Sequence, residues 1–142
     1  MSLVAFLATV QGSPVPKHGS VVLGIAIDQA ATAGVDYRRT LKKAYLGDST
    51  ALATLFRATP YMDGAGATLN SGVLEDLLRE FGDVAFSSTL AKQPRKITER
   101  VTDDLDFAFA MHDKQLDWSR KFPATYRLGS HRSARLHRRN AP

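Results

Sequence analysis

The stretch "LGDSTALATLFRATP" covers Leu46 to Pro60, and "FGDVAFSSTLAKQP" covers Phe81 to Pro94. Each writes an apolar residue, Gly-Asp, a run of mostly small or apolar residues and then a proline, at an offset of 35 residues. Glycine tolerates the left-handed backbone that ends a helix, and aspartate accepts hydrogen bonds from the first N–H groups of the next one. Proline then removes a backbone donor and restricts the residue before it. The stretch therefore reads as a joint between two helices, used twice. That reading makes the chain all-α.

Upstream of the first joint, Asp36 is placed to cap "YRRTLKKAYL", in which Tyr37, Leu41, Ala44 and Tyr45 share one helix face. Beyond the joint, Ala51, Leu52, Leu55 and Phe56 form the apolar stripe and Pro60 stops it. After the glycine-rich stretch "YMDGAGATLNS", the residues Val73, Leu74, Leu77, Leu78 and Phe81 predict another amphipathic helix, with Thr68, Asn70 or Ser71 as its cap. Phe86 and Leu90 follow the second joint. Pro94 opens a helix carrying Ile97, Val101 and Leu105 at four-residue spacing. A last helix is expected over "FAFAMHDKQLDWSRKF", capped by Asp106 and closed by Pro123.

Between Val21 and Ala33 the β-branched residues favour a strand, while the length and the alanines favour a helix. No partner strand is visible elsewhere, so a helix stopped by Gly34 is expected. The 35-residue offset is that of helical solenoids, but in the first helix of each unit Leu41 would fall on Asp76 and Lys42 on Leu77. Two partial copies fall short of a solenoid. The expected fold is a compact bundle of five to seven short helices with helix-Gly-Asp-helix joints.

Length and composition suit one soluble domain: 142 residues, 44% hydrophobic and 23% charged. The absence of cysteine removes disulfides, thiol nucleophiles and thiolate metal sites. The net charge of +5 is unevenly spread, because residues 1–126 hold all fourteen acids and fourteen Lys and Arg. The excess is Arg127, Arg132, Arg135, Arg138 and Arg139. The expected organisation is an N-terminal extension over 1–19, a helical domain over 20–126 and a basic, disordered tail over 127–142. The apolar run Leu3 to Val10 is too short to span a membrane and lacks a positive flank, so no transmembrane segment is expected. A cytoplasmic location is favoured, with export as the alternative if that run is the end of a longer targeting signal.

Chemistry is sparsely marked. The acids of "TDDLDFAFAMHDKQLD" could ligate a divalent cation, but a calcium loop counted from Asp103 or Asp104 meets Lys114 or Gln115 where a glutamate is required. The glycine-rich stretch has no Walker lysine, and no serine or histidine sits in a catalytic pattern. No catalytic residue, cofactor or metal ligand is therefore assigned. Arg95 and Lys96 open a helix whose acids lie further along, against the macrodipole at both ends, which makes them a candidate anion site. Arg38, Arg39, Lys42 and Lys43 make a basic face opposite an apolar stripe. With Arg132, Arg135, Arg138 and Arg139 they form the candidate nucleic-acid contacts. The function expected is a small helical protein-interaction module without catalytic activity. The alternatives are a nucleic-acid accessory protein, and a metal-dependent hydrolase built on Asp103 to Asp117.

Overall fold

Two helices of this chain begin where an aspartate carboxylate takes the unpaired N–H groups of a first turn. Asp36 Oδ1 accepts from the Arg39 N–H (3.1 Å), and Asp48 Oδ1 accepts from those of Thr50 (2.9 Å) and Ala51 (3.1 Å). Those two caps open α2 (Tyr37–Tyr45) and α3 (Ser49–Ala58). The computed structural model describes residues 20–129. It continues with α1 (Ser20–Thr32) before them, and after them a 3-10 turn at Thr59–Tyr61, α4 (Gly64–Phe81), α5 (Asp83–Ala91), α6 (Arg95–His112) and the short α7 (Trp118–Lys121). Residues 123–129 are again helical. The described residues contain no strand, so the fold is all-α and 21–32 is helix.

The centre is α4. Leu69, Val73, Leu74, Leu77 and Leu78 are buried, and so are Asn70, Ser71, Gly72 and Glu75 beside them. This helix packs mainly against α6 and α1. Each fully buried leucine contributes roughly 1.5–3 kcal/mol of transfer free energy. The hairpins α2–α3 and α4–α5 stack side by side. Tyr37 bonds Asn70 and Tyr45 bonds Asp76, so α2 and α4 run in the same direction; Phe56 meets Phe86 edge to face at 4.9 Å, which joins α3 to α5.

The turns between paired helices use glycine at positive φ, +90° at Gly47 and +78° at Gly82, where a side chain would strain the backbone. The two aspartates that follow behave differently. Asp48 caps its own helix, whereas Asp83 is already the first residue of α5 and turns its carboxylate elsewhere. It accepts from the N–H groups of Ala124 and Thr125, both at 2.8 Å, and so caps the 123–129 helix from 41 and 42 residues away.

Several expectations change. From Gly64 onward the glycine-rich stretch, expected to be a loop, forms the first two turns of α4. Thr68 and Ser71 donate back to Gly64 and Ala67 carbonyls instead of capping, and Asn70 is buried. Pro94 caps α6 and does not begin it. Asp106 breaks nothing, because α6 runs unbroken from Arg95 to His112. Pro123 opens a helix where it was expected to close one. That helix crosses the boundary expected after residue 126. Leu128 packs against the core, and Gly129 lies so close to Thr102 that a Cβ there would sit 2.6 Å from its Oγ1. The N-terminal extension 1–19 and residues 130–142 fall outside the described residues.

Candidate functional site

Inside the bundle, polar side chains pair with one another. Tyr37 donates to Asn70 Oδ1 (3.0 Å), Asn70 Nδ2 donates to Thr59 Oγ1 (3.1 Å), and Thr59 donates to the Leu55 carbonyl (2.9 Å). All three residues are buried, and burial holds the Tyr37 phenol far above its ordinary range. Such a closed relay orders the core. It presents no group for chemistry.

A second cluster joins the C-terminal ends of α4 and α6. The Glu75 carboxylate, only 7% exposed, meets Arg79 at 3.0 Å and His112 Nδ1 at 2.8 Å. Arg79 also reaches Asp113 at 3.6 Å and lies over the Phe109 ring. A carboxylate only accepts, so Nδ1 carries the proton and the imidazole is oriented by Glu75. The sequence hid this pairing, since Glu75 and His112 are 37 residues apart and nothing in their spacing announces it.

The acids between Asp103 and Asp117 are dispersed. Asp104 pairs with Arg100 (3.1 Å), whose Nη2 also donates to the Met62 carbonyl (2.8 Å). The other oxygen of Asp104 is buried without a hydrogen-bond partner among the described residues. Burial raises the Asp104 carboxyl above its ordinary value, opposed by Arg100 and assisted by Asp103. Asp106 accepts from the Trp118 indole (2.9 Å); burial raises it too, with that hydrogen bond opposing. Asp113 faces Arg79, and Asp117 caps α7, where the Ser119 side-chain hydrogen bond leads in lowering its carboxyl. Among the described residues, no three His, Asp or Glu side chains converge as a metal site.

Arg95 is paired with Glu99 one turn on at 2.8 Å, while Lys96 is exposed beside it. The helix they open is also less mismatched than the sequence implied. Asp103, Asp104 and Asp106 lie in the middle of α6, and its last turn holds His112. Arg38, Arg39, Lys42 and Lys43 are all exposed on α2. Arg132, Arg135, Arg138 and Arg139 lie outside the described residues.

One surface was not legible as a site. On α6, Phe107 and Met111 stand one turn apart and remain 45% and 59% exposed. Asp103, one turn before Phe107, and Asp106, its neighbour, are exposed around them. Asp103 raises the carboxyls of both Asp104 and Asp106, so the negative charges are close enough to feel one another. In the sequence, Phe107 and Met111 fall in the stretch expected to form a separate last helix. The unbroken α6 turns them outward.

Among the described residues, no helix is long and apolar enough to cross a membrane. In comparisons with known proteins, no family model, curated protein or solved structure matches the chain.

Proposed function

We propose that the chain is a small helical protein-interaction module without catalytic activity, and that it works through the outer face of α6. The observation that carries the reading is the exposed pair Phe107 and Met111, set among acids on a helix whose other face is buried. Two large apolar side chains at i and i+4 are the anchors by which a helix face receives an amphipathic partner. Asp103 and Asp106 define the charge of that partner. It is a protein helix with apolar residues flanked by lysine or arginine.

The test is affinity capture from the native host with the full chain and two variants. Phe107→Ser/Met111→Ser removes the anchors. Leu46→Ser/Val84→Ser removes apolar residues that are more exposed, 80% and 78%, but lie at the joints. A protein with a basic amphipathic helix should be retained by the wild type and the joint variant and reduced at least about tenfold by the α6 variant, a loss of about 1.4 kcal/mol. Equal retention by all three would remove α6 as the interface.

A further inference from the structure

Where helices of this protein carry both signs of charge they pair them internally, whereas α2 carries four cations and no acid. On α4, Glu75 pairs with Arg79; on α6, Arg95 pairs with Glu99 and Arg100 with Asp104; at the start of α7, its cap Asp117 pairs with Arg120. On α2 the i,i+4 partners are Arg38 with Lys42 and Arg39 with Lys43, like charge against like. The nearest acids in sequence are occupied, since Asp36 caps α2 and Asp48 caps α3. None of the four cations is in an ion pair among the described residues.

Packing fixes this face outward. Tyr37, Leu41 and Ala44 are buried on the opposite side, and Tyr37 is tied to Asn70 in the core. The helix cannot roll to hide its cations without breaking that bond. The arrangement costs stability: like charges at i,i+4 repel each other, and Arg38 and Arg39 stand in the first turn where the macrodipole opposes them.

We infer that the outer face of α2 binds the phosphate backbone of a nucleic acid, a second surface independent of the α6 reading. Four cations on two successive turns, with a repeat of about 6 Å along the axis, form a double row that a chain of phosphates can follow. Two of them are guanidinium groups, whose paired donors match phosphate oxygens. Between the two pairs lie only Thr40 and the buried Leu41, so the face has no aromatic for stacking and no Asn or Gln for base edges. Binding through it is therefore independent of sequence and strongly salt-dependent.

The experiment measures binding of the full chain to a labelled single-stranded oligonucleotide across a salt series. Arg38→Ala/Arg39→Ala/Lys42→Ala/Lys43→Ala should flatten the log-log salt dependence by about 3, from roughly 0.7 per lost phosphate contact. Arg38→Lys/Arg39→Lys keeps the charge and should keep the slope. Phe107→Ser/Met111→Ser should bind as wild type, which separates this proposal from the preceding one. The arginines beyond residue 129 are present in every variant. An unchanged slope in the quadruple variant would therefore assign any binding to them and overturn the proposal. Equal competition by polyglutamate at matched charge would overturn it in favour of an acidic protein.

Discussion

Among the described residues, Asp104 is the one with a buried side-chain oxygen left without a hydrogen-bond partner, its other oxygen being bonded to Arg100. Its carboxyl is raised above the ordinary 3.8. A raised folded value means that stability from this group is complete below the unfolded value and is lost as pH rises through the folded one. Asp104→Asn does not titrate, so its stability relative to wild type should grow between about pH 4 and pH 7 in urea denaturation. A constant difference across that range would contradict the assignment. Tyr37→Phe should cost about 1–3 kcal/mol by leaving the buried Asn70 carbonyl without its donor. An unchanged denaturation midpoint would mean the relay contributes nothing. Tyr37 was legible as a core residue from its place in the stripe, but Asn70 was not. Polar residues ahead of an apolar run read as caps, and only the approach of α2 and the 3-10 turn gives Asn70 buried partners.

At the scale of elements, the two glycines and the Asp48 cap were legible because their chemistry is local: positive φ and a cap need only neighbouring residues. Nothing lies within 4 Å of a Cβ built on Gly47 or Gly82, so a side chain there meets backbone strain alone. Gly47→Val and Gly82→Val should each lose about 1 kcal/mol or more in chemical denaturation, and equal midpoints would show that neither joint needs glycine. The second aspartate could not be read, since its N–H partners lie some forty residues downstream. Asp83→Ala should cost about 1 kcal/mol, as a lost cap does. The chain's single tryptophan separates it from Asp48→Ala. Trp118 stacks on Phe109 at 5.3 Å and meets Tyr126 edge to face at 4.9 Å, inside the segment that Asp83 holds. Its fluorescence should shift to the red in Asp83→Ala and stay put in Asp48→Ala. A red shift in both would mean the segment responds to general loosening. Asp106 misled for the opposite reason. It resembles a cap, yet it stands in mid-helix and accepts from Trp118.

For the whole molecule, hydrophobic periodicity was enough to give the all-α class and the buried faces of Leu52, Leu74 and Leu105, because each depends on one helix at a time. The centrality of α4 was not available that way. Its burial on nearly every side, Glu75 and Gly72 included, depends on how many neighbours surround it. The basic face of α2 was legible from spacing, while the outward turn of Phe107 and Met111 required knowing that α6 does not break. Both surfaces are expected to serve partners and not the fold. The direct measurement is a crossed comparison of the α2 quadruple variant and Phe107→Ser/Met111→Ser, each assayed for melting temperature, oligonucleotide binding and retention of the captured protein. The expected result is that both melt no lower than wild type, the first losing only the oligonucleotide and the second only the protein. Loss of both ligands by either variant, or a lowered melting temperature that accompanies the loss, would contradict the assignment of two working faces on one stable body.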